Sequence, residues 1–231
     1  MKYYRIAGLT VEMDSLGRTA VQAEPYAISP PQASVDITIP RCPDELFKKH
    51  PEATEELCEY MFTGTLFYKQ LIAFGGIMLH SSAVVVDGKA YLFTAPPGTG
   101  KSTHTSLYLK EFGDRAFILN DDKPAIRLEN GCFFAYGTPW SGKTAENVNT
   151  RAILGGICVL KRGERNEIRR ISGKEAFLGI YSETLRPKGP RDMNRVLDII
   201  EGLIDRVPVW ELKCNAEPDA VRVSFSAMSN P

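Results

Sequence analysis

The sequence predicts an α/β fold, in which a mixed, partly antiparallel sheet with packed helices is preceded by a small β-rich N-terminal extension. Short β-branched or aromatic runs recur along most of the chain. Two turn dipeptides, Asp87-Gly88 and Asn130-Gly131, separate pairs of these runs and favour tight antiparallel hairpins. A glycine-rich stretch at 95–100 lies between an apolar run and a helical pattern, which is the order of elements in α/β proteins.

The composition is that of a globular protein without a strong overall charge. Of the 231 residues, 43% are hydrophobic and 24% are charged, and 28 Lys and Arg balance 28 Asp and Glu. No global field favours nucleic acid or an anionic membrane, so neither is predicted as a partner. The five cysteines form no C-x-x-C pair, which predicts reduced core cysteines. No apolar run has the length of a signal peptide or a membrane span, which predicts a cytoplasmic chain.

The N-terminal part of the chain predicts short strands followed by a helix. Strands are expected at 3–13, 17–23 and 33–40, within the β-rich extension. A helix is expected at 53–74, where apolar residues recur at helical spacing and Gly64 weakens the middle.

The rest of the chain alternates predicted strands and helices. Asp87-Gly88 joins two strands within 77–95, a helix follows at 101–112, and strands are expected at 115–128 and 131–139. Downstream we expect a hairpin formed by 154–163 and 166–172, helices at 174–185, 190–206 and 218–228, and a strand at 207–214. With no repeat and no low-complexity linker, residues 1–231 are predicted to form a single domain, with 1–50 as its extension and 76–231 as its core.

Residues 95–102 match the pattern of a phosphate-binding loop. Ala95 takes the small first position, four variable residues follow, and Gly100-Lys101-Ser102 complete the pattern. Glycines let backbone N–H groups turn inward around an anion, and the helix that begins near Lys101 adds its partial positive charge. The alternative is a glycine-rich turn that happens to contain Lys-Ser; the flanking strand and helix favour the phosphate loop.

An acidic pair and a histidine flank this loop in sequence. Asp121 and Asp122 follow the apolar run at 116–119, and an acidic residue at the end of a neighbouring strand commonly holds the Mg²⁺ of a bound nucleotide. Successive strand residues point to opposite faces, so one carboxylate can attend to the metal while the other accepts a proton. Taken alone, the pair would be interpreted as a solvated turn, and His80 as a structural histidine.

The combination of these features resembles a known family. His80 at the start of a strand, the hairpin, Gly-Thr-Gly-Lys-Ser and the strand ending in Asp121-Asp122 resemble the catalytic half of the bacterial HPr kinase/phosphorylase family. The phosphate-loop core of that family is also similar to that of the phosphoenolpyruvate carboxykinases. The match covers residues 78–128 and implies an HPr kinase-like domain that uses ATP and Mg²⁺ to phosphorylate a serine hydroxyl. The resemblance is also consistent with a homo-oligomer.

The resemblance implies a role for each matching residue. His80 would lie beside the transferred phosphoryl group, Lys101 would neutralise the phosphates, and Asp121 would be the acid/base for the serine hydroxyl. Ser102 and Asp122 would hold Mg²⁺. The implied nucleotide-binding residues are Pro97, Gly98, Thr99, Gly100, Lys101, Ser102 and Thr103.

The chain also departs from that family. It shows no likeness to the separate N-terminal domain, and no clear metal-binding Glu followed by a glycine-rich segment. Some HPr kinase-like proteins without that domain phosphorylate a serine of a small peptide during peptide natural-product maturation. A peptide or small protein is therefore the expected acceptor. The alternatives are a kinase of a small hydroxylated metabolite and a nucleotide-binding regulatory or assembly module without transfer activity.

A second Gly-Lys-Thr run, at 142–144, is not predicted to be another phosphate loop because no helical pattern follows it. Its segment can bring Lys143 or Trp140 to the nucleotide or the acceptor, with Glu146 replacing the missing metal-binding Glu. A surface loop with Trp140 anchored in the core is an equal alternative. The arginines considered for stabilising transition-state charge are Arg169, Arg170, Arg186 and Arg191.

Overall fold

A small N-terminal sheet forms the first part of the computed structural model, which describes residues 1–32 and 34–230. Its strands are β1 (Lys2–Ile6), β2 (Leu9–Met13), β3 (Ala27–Ile28) and β4 (Ile37–Ile39), in the order β3-β1-β2-β4. β1 and β2 form an antiparallel hairpin, and β4 runs parallel to β2. The strand predicted at 33–40 is confirmed for its second half, and Ala33 lies outside the described residues.

A larger mixed sheet follows. Its strands are β5 (Gly76–Met78), β6 (Ser81–Val86), β7 (Lys89–Thr94), β8 (Ala116–Asn120), β9 (Ala125–Glu129), β10 (Cys132–Tyr136), β11 (Arg151–Arg162), β12 (Glu167–Arg170) and β13 (Val209–Cys214). Seven strands lie in the order β5-β9-β10-β11-β7-β6-β8, and β13 pairs with both β11 and β12. β7 and β13 run parallel to β11, whereas the hairpin partners are antiparallel. The predicted α/β fold with a mixed, partly antiparallel sheet is thus confirmed.

Helices cover this sheet and connect it to the small one. They are α1 (Gly17–Ala23), α2 (Asp44–Lys49), α3 (Glu55–Leu71), α4 (Lys101–Phe112), α5 (Gly173–Ser182), α6 (Pro190–Arg206) and α7 (Asp219–Ser229). The helices predicted near 53–74, 101–112, 174–185, 190–206 and 218–228 are all observed. Within the described residues, no helix has the length and apolar character needed to cross a membrane.

The two predicted hairpin turns are observed. Asp87 and Gly88 take φ angles of 49° and 80°, and Asn130 and Gly131 take 50° and 82°. Positive φ at both central positions gives the turn twist that matches twisted antiparallel strands. The first turn fixes the register of β6 against β7, and β7 leads directly into the glycine-rich loop.

Alternating residues of the large sheet bury its two faces. On one face, Val85 and Leu92 belong to an apolar cluster with residues of α5 and α6. On the other face, Val84 and Phe93 pack with residues of α4 and α7. Period-two burial of this kind holds β6 and β7 rigidly, so the side chains at their ends are well positioned.

The strand predicted at 17–23 is wrong, because this segment is helix α1. Its buried residues Thr19, Gln22 and Ala23 recur at helical spacing, whereas the β-branched Val21 is 74% exposed. β2 already pairs with β1 and β4, which leaves no free edge for another strand on it. The Glu59 carboxylate of α3 accepts hydrogen bonds from Leu16 N–H and the Thr19 hydroxyl, which anchors the start of α1.

The hairpin predicted for 154–163 and 166–172 is also wrong. β11 and β12 are both present, but β13 lies between them, parallel to β11 and antiparallel to β12. β13 is mostly buried and requires neighbours on both sides, whereas β12 is largely exposed, as an outer strand can be. The prediction of core cysteines holds for Cys42, Cys58 and Cys158, while Cys132 is exposed; all five are free.

Candidate functional site

The glycine-rich loop connects β7 to α4 in a conformation that only glycine adopts readily. Gly98 and Gly100 have φ angles of 76° and 113°. Gly100 is the N-cap residue of α4 and supplies no side-chain hydrogen bond to the helix start. The N–H groups of the first helical turn therefore stay available to an anion, and the helix dipole adds to their attraction.

Lys101 lies buried beneath this loop. Its ammonium donates a hydrogen bond to the Ala95 carbonyl oxygen at 2.8 Å, and the residue is 8% exposed. Burial lowers the pKa of Lys101, and this effect is opposed by the nearby carboxylates of Glu183, Asp122 and Asp121. Ser102, the next residue, is exposed and lines the same cleft.

The acidic pair follows β8, at the same end of the sheet as the loop. β6 lies between β7 and β8, so the pair is one strand further from the loop than a directly neighbouring strand would place it. Asp121 is buried, and both of its carboxylate oxygens accept hydrogen bonds from hydroxyls. Ser82 Oγ donates to Oδ1 at 2.7 Å, and Thr144 Oγ1 donates to Oδ2 at 3.1 Å. These two contacts fix the orientation of the carboxylate.

Asp122 has a different environment, dominated by cations. It pairs with the ammonium of Lys123, and its Oδ1 lies 3.4 Å from His80 Nε2. Burial on its own would raise the pKa of Asp122, but the hydrogen bond to His80 and the charge of Lys123 outweigh it and lower the pKa to about 2. Asp122 therefore stays ionised at neutral pH, which suits a role as a charge or a metal ligand.

His80 lies between two carboxylates. Its Nδ1 is 2.8 Å from Glu183 Oε2, on the side opposite Asp122. Thr94, the last residue of β7, donates its hydroxyl to the His80 carbonyl at 2.9 Å, which ties the histidine to the strand that carries the loop. Glu183 was missed at the level of sequence, because it follows α5 in a stretch without any motif.

The loop, the acidic pair and His80 line one cleft of about 400 Å³, and Glu183 lies behind His80, outside its lining. The predicted residues that the cleft brings together are His80, Pro97, Gly98, Lys101, Ser102, Asp121 and Asp122. The other predicted loop residues, Thr99, Gly100 and Thr103, line a second pocket of about 330 Å³. The predicted loop residues are thus divided between two pockets, and the loop contributes to the lining of both.

The segment 137–150, between β10 and β11, places its predicted site residues in different environments. Trp140 is 0% exposed and stacks on Phe67, so for this residue the core anchor is the correct alternative. Lys143 and Thr144 do line the cleft. The Glu146 side chain is exposed, and its carbonyl oxygen accepts the Asp121 N–H at 3.1 Å. Partial burial and the charge of Asp121 raise the pKa of Glu146.

The four arginines considered above are not among the residues that line the cleft. Arg169 pairs with Glu175 and Glu211 instead. The arginine that does line the cleft is Arg18 of α1, together with Tyr60 of α3. Nothing in the sequence around Arg18 marks it as a site residue, because the N-terminal extension carries no motif.

The residues present also suit a nucleotide with Mg²⁺. Among the described residues, no group of three or more His, Cys, Asp or Glu side chains could hold a metal ion. Mg²⁺ in nucleotide sites needs less, because one or two protein oxygens share the ion with the phosphates. The exposed Ser102 hydroxyl and the ionised Asp122 carboxylate supply such oxygens within one cleft.

Comparison with solved structures adds only weak likeness. No family model matches the chain, and no curated protein matches it. Among solved structures, the chain is similar to the HPr(Ser) kinase/phosphatase from Coxiella burnetii, with 15% identity and a TM-score of 0.37. The alignment covers 66% of this chain and 99% of that chain. A likeness at this level assigns no family, so the function has to be inferred from the geometry of the cleft.

Proposed function

We propose that this chain is an ATP- and Mg²⁺-dependent phosphotransferase of the HPr kinase-like type, with a serine hydroxyl of a peptide or small protein as its acceptor. One observation carries the proposal: a phosphate-type loop, an oriented carboxylate and an ionised carboxylate line one cleft. A module that only bound a nucleotide would keep the loop and the metal ligand Asp122, but it would not need an oriented carboxylate at Asp121. The proposal treats residues 1–231 as one kinase-like domain.

The loop would bind the phosphates of ATP. The free N–H groups at the start of α4 would donate to the phosphate oxygens, and Lys101 would exchange its hydrogen bond to Ala95 for one to a phosphate. Ser102 and Asp122 would hold Mg²⁺, which neutralises charge on the phosphates when bound. Thr99, Gly100 and Thr103 would extend the nucleotide site into the second pocket, which they line.

Asp121 would accept the proton of the attacking serine. Its two hydroxyl contacts, from Ser82 and Thr144, hold the carboxylate without neutralising it. The carboxylate would take the proton as the serine oxygen attacks the γ-phosphorus in line with the leaving ADP oxygen. His80, held by Glu183 through Nδ1, would lie beside the transferred group, and its Nε2 would exchange the contact with Asp122 for a hydrogen bond to that group.

The rim of the cleft favours a polypeptide acceptor over a small metabolite. Leu57 and Met61 of α3 line the cleft while being 43% and 49% exposed. The same two residues also line an apolar groove of about 450 Å³ between α2 and α3. An open apolar rim suits side chains that flank a serine, whereas the site of a small molecule usually encloses most of the ligand's surface.

Transfer of labelled phosphate tests this proposal. Purified protein with Mg²⁺ and γ-labelled ATP would be given serine peptides, the same peptides with Ser→Ala, and small hydroxylated compounds. We expect label on the serine peptides alone. Label on small compounds only would favour the metabolite kinase, and ATP binding without any transfer would favour the regulatory module.

A further inference from the structure

Arg18 belongs to the N-terminal part of the chain but lies in the cleft of the large sheet. It lines the cleft together with Lys101 and Ser102. Its guanidinium carbon lies 4.1 Å from the centre of the Tyr60 ring, which is a cation–π distance. α1 therefore adds a cation to a site whose other charged groups come from residues 80–143.

The Arg18 guanidinium has no anionic partner of its own. Among the described residues no carboxylate forms an ion pair with it, and its buried Nε lacks a hydrogen-bond partner. A partly buried cation is normally paired, because removing it from water is costly. A planar guanidinium with free donors suits bidentate contact with phosphate oxygens.

Tyr60, on which Arg18 stacks, is itself fixed to the site. Its hydroxyl accepts a hydrogen bond from Gly142 N–H at 2.9 Å and donates to Asp122 Oδ2 at 3.4 Å. Gln22, one turn after Arg18 on α1, donates to the Gly142 carbonyl at 3.1 Å. Gln22 thus holds α1 directly against the segment that carries Lys143 and Thr144, and Tyr60 of α3 links Arg18 to the same segment. Arg18 is rigidly placed rather than a surface side chain that reaches in.

The charges of the cleft indicate which part of a nucleotide Arg18 meets. Four cations line it, Arg18, Lys101, Lys123 and Lys143, against the two carboxylates Asp121 and Asp122. This excess of positive charge suits a polyphosphate. Lys101 belongs to the loop side of the site, whereas Arg18 stacks on Tyr60, which contacts Asp122 of the acidic pair. Arg18 is thus connected to the carboxylates that the proposed function places beside the transferred group.

We infer that Arg18 binds the terminal phosphoryl group of the nucleotide and stabilises its charge during transfer, so that the N-terminal part of the chain completes the site. This inference rests on the proposed function. It also explains why α1 is attached to the cleft through Gln22 and Tyr60. The contact would exist with a nucleoside triphosphate and be absent with a diphosphate.

Calorimetric titration of two Mg²⁺ nucleotides tests the inference. The probes are ADP and the non-hydrolysable β,γ-imido analogue of ATP, and the proteins are wild type, Arg18→Gln, Arg18→Lys and Arg5→Gln. Arg5 is an exposed arginine of β1 and serves as the matched control. We expect Arg18→Gln to weaken the triphosphate analogue roughly 10- to 100-fold, the value of a charge-assisted hydrogen bond, and to leave ADP affinity unchanged.

The two variants separate binding from folding. Arg18→Lys keeps the charge and the stem, so it should fold as wild type and retain part of the triphosphate preference. Equal weakening of both nucleotides by Arg18→Gln, or no weakening of either, would overturn the inference and leave the proposed function standing. A wild-type protein that bound neither nucleotide would overturn both.

Discussion

His80 is held in place by Glu183, which lies 103 residues further along the chain. His80 Nδ1 is 2.8 Å from Glu183 Oε2, and the His80 backbone N–H donates to the Glu183 carbonyl oxygen at 2.9 Å. Side chain and backbone are therefore fixed by one residue, and Nε2 is directed at Asp122.

Glu183→Gln tests whether this contact positions His80. Glutamine keeps an acceptor oxygen but removes the charge, so we expect the rate of phosphoryl transfer to fall roughly 10-fold, less than the ~10²–10⁴ of a group that transfers the proton itself. ATP affinity should stay close to wild type. Glu201→Gln, an exposed glutamate on α6, is the matched control. Unchanged transfer by Glu183→Gln would contradict the positioning role.

Gly100→Ala tests the backbone requirement of the loop. A Cβ at Gly100 would meet nothing within 4 Å, so only its φ of 113° opposes alanine. We expect a loss of roughly 1–2 kcal/mol in the free energy of unfolding and weaker ATP binding, because the loop N–H groups would turn away from the phosphates.

Gly173→Ala is the control for that substitution. Gly173 also has open space around its Cβ position but no positive φ. It begins α5, where alanine is a better helix former, so stability should stay equal or rise. Denaturant unfolding measures both variants. Equal effects at the two glycines would show that the φ of Gly100 is not required.

His104 on α4 predicts a pH dependence of stability. It is buried, and burial lowers its pKa from 6.5 to about 4. His104 therefore binds a proton more readily in the unfolded chain than in the folded one. The neutral, buried His104 contributes fully to stability above pH 6.5, and this contribution is lost as the pH falls towards 4. Over this whole range, the free energy of unfolding falls by about 3 kcal/mol.

Urea unfolding of wild type and His104→Gln between pH 7 and pH 4.5 tests this. Glutamine does not titrate in this range, and its amide can replace the contact of His104 Nε2 with Ser224 Oγ. We expect the stability difference between the two proteins to shrink as the pH is lowered. If the free energies of unfolding of the two proteins changed in parallel with pH, His104 would be excluded as the titrating group.

Local chemistry made much of the fold predictable. The hairpins were predictable because Asp-Gly and Asn-Gly take positive φ at low cost, and the loop because glycines, lysine and serine have fixed spacing. Segment 17–23 was not predictable, because Val21 is a β-branched residue that the helix simply exposes to solvent. Gly64 was expected only to weaken α3, but a Cβ there would lie 2.9 Å from Trp140 Cδ1, so the glycine permits close packing.

The site was predictable only where its residues belong to a motif. Lys101, Ser102 and the acidic pair follow one another along the chain, and the pairing of β6 with β7 and β8 brings them together. Arg18 and Glu183 reach the site from α1 and from the end of α5, through tertiary packing. Neither has neighbours in sequence that would distinguish it from an ordinary surface charge.

The most direct test of the central claim compares phosphoryl transfer and ATP affinity in Asp121→Asn, with the exposed Asp198→Asn as control. Asparagine keeps an oxygen that accepts from one of the two hydroxyls of Ser82 and Thr144 and places its NH2 group, a donor, beside the other, but it cannot accept the serine proton. We predict that transfer falls by roughly 10²–10⁴ while the dissociation constant for Mg²⁺ and ATP is unchanged. Transfer at the wild-type rate in Asp121→Asn would contradict the account.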